Sequence, residues 1–150
     1  RDARAALLKA TLNRMKTVTE VKRDMDPNNK IPGYLLGRLM AVIERMQQAA
    51  LGDVNATVVD RFFAGASATP GTVFPRLLKN MRNHVSKAKD ERAGLAFELE
   101  KESDAILSGL PTFPSYLPLD QQALFVLGYH HERHWLWMKK EDKKQPPEQA

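Results

Sequence analysis

A row of basic and amide side chains recurs at helical spacing between residues 76 and 87, and its residue types are those that bind phosphate. The side chains that share about 80° of arc on an α-helix, opposite an apolar face, are Arg76, Lys79, Asn83 and Lys87. No acidic residue occurs between Arg76 and Lys89, whereas surface helices commonly mix charges to form i,i+4 pairs. The pattern favours contact with a nucleic-acid backbone, and a solvated helix face is the alternative left open.

Two weaker groups of anion-binding residues lie elsewhere in the chain. The first recurs every seven residues along one edge of a predicted helix and consists of Lys9, Lys16 and Arg23. Acidic residues nearby reduce the positive charge of that row, which favours its interpretation as an ordinary solvated helix edge. The second is Arg61 together with the hydroxyls of Ser67 and Thr69, at a predicted helix start where free N–H groups attract phosphate. Thr69 is equally suited to be a simple N-cap, and no Gly-Lys-Ser/Thr follows to make a Walker loop.

Three histidines lie close together near the C-terminus. His130 and His134 have the i,i+4 spacing of a two-histidine metal pair, but the glutamate between them is out of register for the metalloprotease pattern. The chain has no cysteine and offers no obvious third ligand, so we expect no metal and no cofactor. Helical geometry places His131 on an apolar face, which predicts a hydrogen-bonded core histidine.

The sequence contains no recognisable catalytic constellation. No nucleophile–base pair, carboxylate dyad or cofactor loop emerges, and the absence of cysteine removes thiolate chemistry and disulfides together. We therefore expect a non-enzymatic protein. A stand-alone helical metalloenzyme using the histidines is the rival from another class.

Helices must position these residues, because apolar residues recur at helical rather than alternating spacing throughout. The predicted helices span 3–23, 32–50, a short third helix that follows residue 55 and runs through 63, a segment ending near 89, 90–107 and 120–140. Asn55 is the expected N-cap of the third helix, and residues 65–71 the loop that follows it. The fourth helix begins either at Pro70, with Pro75 as an internal kink, or at Pro75 itself.

The remaining segments complete the predicted fold. Residues 110–118 are apolar but broken by prolines, which predicts an extended connection packed over the core. The last helix is apolar nearly all round, so we expect it to be central or buried against a partner, with Leu124, Leu127 and Trp135 in the core. The prediction is an all-α, single compact helical bundle of five to six helices over residues 1–140, with a disordered polar tail at 141–150.

The composition is that of one soluble globular domain with a modest basic excess. The 150 residues carry a net charge of +5 and are 43% hydrophobic. No apolar run approaches the roughly 20 residues of a membrane span, and the first segment lacks the features of a signal peptide. We expect a cytoplasmic protein without membrane contact. The charge by itself raises the case for a nucleic-acid partner only slightly.

Three segments of the chain resemble one family. They are YLLGRLMAVIERMQ (34–47), NATVVDRFFAGASATPGTVFPRLLK (55–79) and LPLDQQALFVLGYHHER (117–133). These segments are similar to the C-terminal domain of the type I-C CRISPR large subunit, which is also produced separately as the small subunit of the Cascade complex. The resemblance spans about residues 27–137 and supplies no motif that assigns individual DNA contacts.

The resemblance implies a helical, non-catalytic component of an RNA-guided surveillance complex. Its implied partners are the guide RNA, the target DNA with its displaced non-target strand, the Cascade backbone subunits, the large subunit and another copy of itself. The implied role is to stabilise the R-loop and to bridge neighbouring subunits. A pure protein–protein scaffold that contacts only backbone subunits and guide RNA is the alternative within the same complex.

Overall fold

The computed structural model describes residues 3–7, 9 and 25–138, and this part of the chain contains helices and no strand. After a short helical stretch at 3–7, the four helices are α1 (Pro32–Leu51), α2 (Val58–Ala68), α3 (Pro70–Ser108) and α4 (Leu119–Trp137). The predicted all-α class is confirmed. Lys16, Arg23 and the predicted disordered tail lie outside the described residues and stay predictions.

Helix α1 is the centre of the bundle. Pro32 occupies its first turn, and every residue from Gly33 to Ile43 is buried, including Arg38. The helix packs against both α3 and α4. It ends where predicted, since Gly52 adopts φ 72° and its N–H donates to the Gln48 carbonyl at 2.8 Å.

The last helix is not buried on every side within the described part of the chain, so the predicted alternative, burial against a partner, stays a prediction. Helix α4 buries Phe125 and Tyr129, whereas Leu119 and Trp137 are 82% and 49% exposed. Its expected core residues Leu124, Leu127 and Trp135 are only half-buried. The buried face includes the predicted core residue His131, but it is centred on Phe125, Gly128 and Glu132 and is rotated away from the edge that carries Leu124, Leu127 and Trp135.

Glycines bring the backbones of α1 and α4 into direct contact. A Cβ added at Gly37 would collide with the Phe125 carbonyl, and one at Gly128 would collide with the Tyr34 carbonyl. Gly33 faces the Gln121 backbone in the same way. Any larger residue at these positions must push the helices apart, so this close approach fixes how α4 lies on α1.

The junction between α2 and α3 differs from its prediction. Thr57, and not Asn55, caps α2 through a capping box with Asp60, and the helix continues to Ala68. The predicted loop 65–71 is therefore almost entirely helical. A single residue, Thr69, separates α2 from α3, because Pro70 cannot donate the next α2 hydrogen bond but fits the first turn of α3.

Helix α3 combines the predicted fourth and fifth helices. It starts at Pro70 and contains Pro75 inside its second turn, which selects the first of the two starts that the sequence allowed. Arg92 interrupts it with non-helical φ −146° and ψ 68°. The predicted division near residue 90 is thus confirmed to within two residues as a kink.

The connection from α3 to α4 packs across the α2–α3 junction, as its composition predicts. Leu110 and Leu117 are buried, and Phe113 stacks on Phe74 with ring centroids 5.7 Å apart. The Gly71 N–H donates to the Pro114 carbonyl at 2.8 Å, and the Leu117 N–H donates to that of Ala68 at 3.0 Å. The start of α3 is therefore anchored, which holds its exposed face in place.

Candidate nucleic-acid interface

The first half of α3 presents a basic stripe to solvent. We define the basic stripe as Arg76, Lys79, Asn83 and Lys87, all of which are exposed. The opposite face of the same helix is buried through Phe74, Leu77, Met81 and Ala88. The stripe is thus carried by a helix fixed to the core, and it extends about 16 Å from Arg76 to Lys87 at 1.5 Å per residue.

The cations of the basic stripe have no ion pair within the described part of the chain. The pairs found there are Arg38–Glu102, Arg38–Glu132, Lys89–Glu100 and Arg133–Glu44. Lys89, which follows the stripe, forms its ion pair with Glu100 beyond the Arg92 kink, at 3.3 Å. The three stripe charges are therefore open to an anionic partner.

Arg61 belongs to the same region of the surface. It is exposed on α2, and together with Asn83 it lines a cleft between α2 and α3 of about 280 Å³. The sequence does not indicate that Arg61 and Asn83 lie close together, because the angle between α2 and α3 depends on the one-residue junction at Thr69. The cleft also contains Asn80 and His84, which the sequence analysis did not single out.

The hydroxyls proposed to bind phosphate near the start of α3 are engaged within the protein. The Thr69 hydroxyl donates to the Gly65 carbonyl at 3.1 Å, and the Ser67 hydroxyl donates to that of Ala64 at 2.9 Å. Thr69 occupies the N-cap position of α3 without making a side-chain cap. Both hydroxyl hydrogens are directed at carbonyls of the last turn of α2, and the predicted phosphate site at Arg61, Ser67 and Thr69 stays a prediction.

The predicted basic row of Lys9, Lys16 and Arg23 stays a prediction. Lys9 is exposed, and the other two lie outside the described residues.

The three histidines of α4 lie in different environments. His131 is 6% exposed, and its Nδ1 lies 2.9 Å from the Tyr34 hydroxyl, which confirms the predicted core histidine. His130 and His134 are exposed. Among the residues that the structure describes, no three His, Asp or Glu side chains are placed to hold a metal ion.

A buried charge cluster joins three helices and was missed by the sequence analysis. Arg38 of α1 contacts Glu102 of α3 at 2.9 Å and Glu132 of α4 at 3.3 Å. Glu132 is fully buried, and one of its carboxylate oxygens has no hydrogen-bond partner. Burial, together with the neighbouring Glu102 carboxylate, raises the pKa of Glu132 to about 8 despite the opposing effect of Arg38. Arg38 and Glu132 lie in the core, whereas the Glu102 side chain is 25% exposed.

In the described residues, the chain is an all-helical bundle whose α3 carries an exposed basic face with no ion pair. None of its described helices is long and apolar enough to cross a membrane. A comparison with curated proteins gives no match. A family model described as CRISPR-associated protein (Cas_Csd1) matches residues 1–137, and the chain therefore belongs to the Cas_Csd1 family of CRISPR-associated proteins.

Proposed function

We propose that this chain is a non-catalytic subunit of the RNA-guided type I-C surveillance complex, in which its basic stripe holds the phosphates of the displaced DNA strand. The observation that supports this most directly is the row of exposed stripe cations without an ion pair in the described residues. Family membership supplies the setting, because it places the chain among CRISPR-associated proteins.

The stripe suits a strand whose sequence need not be read. In RNA-guided complexes, base pairing between guide and target supplies specificity, so the protein needs only contacts to the backbone. Lysine and arginine on a rigid helix provide such contacts, and their strength does not depend on the bases. The absence of acids along this half of α3 keeps the local field positive.

A scaffold role is the second candidate, and a separate observation favours it. Phe97, Tyr116 and Leu119 are 66%, 71% and 82% exposed, which is unusual for large apolar side chains. Such residues are suited to contacts with neighbouring protein subunits. In that role the chain bridges subunits, and the basic stripe contributes nothing to DNA binding.

Charge reversal of the basic stripe separates the two candidates. In the assembled complex, Arg76→Glu, Lys79→Glu and Lys87→Glu together should weaken R-loop formation on unrelated target sequences by similar factors. Because all three residues are exposed, the fold should survive, with stability changing by less than about 0.5 kcal/mol per site. R-loop formation is measured by titrating labelled target DNA with the complex.

A matched control keeps the net charge and composition of the change but moves its location. Arg4→Glu, Lys30→Glu and Lys101→Glu alter one arginine and two lysines that are exposed and lie outside the stripe. This variant should bind target as the parent does. If both triple variants lose the same affinity for target DNA, the effect is one of net charge and not of the stripe. If the stripe variant keeps the parental affinity, the scaffold role is the one supported.

A further inference from the structure

The cleft between α2 and α3 directly borders the basic stripe. On the helical wheel of α3, Asn80 and His84 lie about 40° and 80° from Arg76, on the side that turns toward α2. Asn83 belongs to both the stripe and the cleft. A strand that follows the stripe therefore runs along the mouth of the cleft.

The lining of the cleft combines an apolar floor with neutral polar groups and one cation. Apolar side chains are contributed by Ile43, Ala56, Val58, Phe62, Leu77 and Met81. The polar groups are those of Gln47, Arg61, Asn80, Asn83 and His84, and no carboxylate is among them. Burial, and after it the charge of Lys87, lowers the pKa of His84, so its ring is neutral at physiological pH.

These groups match the chemistry of a nucleobase. A base presents flat apolar faces and an edge of mixed donors and acceptors, which amide side chains pair with and which imidazole and guanidinium groups stack upon. The Gln47 side-chain oxygen already accepts the Val58 N–H at 2.9 Å, which leaves its amide nitrogen and the Asn80 and Asn83 amides to face a ligand. The cleft therefore offers stacking surfaces and edge partners within one recess.

We propose that the α2–α3 cleft receives an unpaired base of the displaced DNA strand while the basic stripe holds the adjacent phosphates. This inference rests on the proposed function, because it assigns a base-binding role to the margin of the same surface. The displaced strand is the more suitable source, since it is unpaired over the guide-matched region once the loop has formed. Because stacking depends on the flat ring that all bases share, we expect the cleft to bind different bases and therefore strands of many sequences.

The test uses the assembled complex and a target that is already open over the guide-matched region. The displaced strand is made non-complementary to the target strand, and it is either intact or abasic, so that the two versions share phosphates and differ only in bases. The variant is Asn80→Ala with His84→Ala, which leaves the formal charge unchanged. It should bind the intact substrate roughly tenfold more weakly than the parent, equivalent to about 1.4 kcal/mol. On the abasic substrate the two proteins should bind equally.

A control variant and the stripe variant make the outcomes distinguishable. Asn28→Ala with His134→Ala removes the same residue types outside the cleft and should bind both substrates like the parent. If the cleft variant binds the intact strand normally, or loses the same factor on both substrates, the base-binding inference is overturned while the stripe proposal stands. If reversing the stripe affects neither substrate, the proposed function itself fails.

Discussion

Arg38 is the residue whose environment departs most from what its type suggests. Its side chain is 6% exposed, and it is the cation shared by Glu102 and Glu132. Arginine is suited to this place because its planar fork reaches two carboxylates at once. The sequence does indicate a buried cation here, since Arg38 lies between Gly37 and Leu39 in a stretch that is otherwise apolar on every side.

Removing Arg38 should destabilise the bundle more than removing any exposed cation. Arg38→Met removes the guanidinium hydrogen bonds to both carboxylates. Because loss of this cation raises the pKa of Glu132 further, Glu132 stays protonated in the variant, and the expected cost is about 1–3 kcal/mol for buried polar groups left without partners. Adding Glu132→Gln to that variant should change stability little at pH 7, because glutamine then replaces an acid that is already neutral. Chemical denaturation measures both.

Arg133→Met is the matched control for Arg38→Met. Its side chain is half exposed and its partner Glu44 also accepts the Tyr129 hydroxyl hydrogen bond, so the loss should stay below about 1 kcal/mol. Equal losses in the free energy of unfolding from Arg38→Met and Arg133→Met would show that the buried cluster stabilises the fold no more than an exposed ion pair does.

Glu132 should make the stability of the protein depend on pH. Its pKa is raised to about 8 in the fold from an ordinary value of 4.5, so between these limits the folded chain binds a proton that the unfolded chain releases. The contribution of this group to stability is therefore greatest below about pH 4.5 and declines as the pH rises toward 8.

Glu132→Gln tests this linkage, because glutamine keeps the shape of the protonated acid and does not titrate. Relative to the parent, the variant should gain in free energy of unfolding as the pH is raised from 5 to 8. Thermal or urea unfolding at a series of pH values measures the difference. A constant difference across that range would mean that Glu132 stays ionised in the fold.

At the scale of the helices, the contact between α1 and α4 shows what sequence periodicity omits. The boundaries of α1 and the approximate start of α4 follow from proline, glycine and apolar spacing, and the structure agrees with both. The choice of the buried face of α4 does not follow, because that face is selected by Gly128 meeting Tyr34 across the interface. Similarly, no local rule distinguished Thr57 from Asn55 as the cap, since the choice depends on Asp60 three residues beyond Thr57.

The glycine contact predicts opposite effects for two identical substitutions. Gly37→Ala places a methyl group against the Phe125 carbonyl and should cost about 1–3 kcal/mol through separation of α1 and α4. Gly94→Ala, in a helical position with no atom within 4 Å of the new methyl group, should instead stabilise by about 0.5–1 kcal/mol. Melting temperatures of the two purified variants measure the contrast, and a tolerated Gly37→Ala would contradict the close packing.

For the whole molecule, the position of the positive charges is more informative about nucleic-acid binding than the net charge is. The net charge of +5 is modest, and acids are present on α1, α2 and the second half of α3, where several of them form ion pairs. The first half of α3 has none. The stripe could be predicted from sequence because it lies on one helix, whereas its continuation to Arg61 required the α2–α3 crossing.

This concentration of unpaired charge predicts the salt dependence of DNA binding. Each single-strand phosphate contact contributes about 0.7 to the slope of log affinity against log salt, through the release of a counterion. Neutralising Arg76, Lys79 and Lys87 to glutamine in the assembled complex should therefore flatten the slope by about 2, whatever the target sequence. Neutralising Arg4, Lys30 and Lys101 in the same way should leave the slope unchanged, because long-range effects of exposed charges are screened within about 10 Å at 0.1 M salt. The distinction depends on slopes measured across a salt series and not on affinity at one salt concentration. A stripe variant with the parental slope would show that these three cations touch solvent and counterions alone.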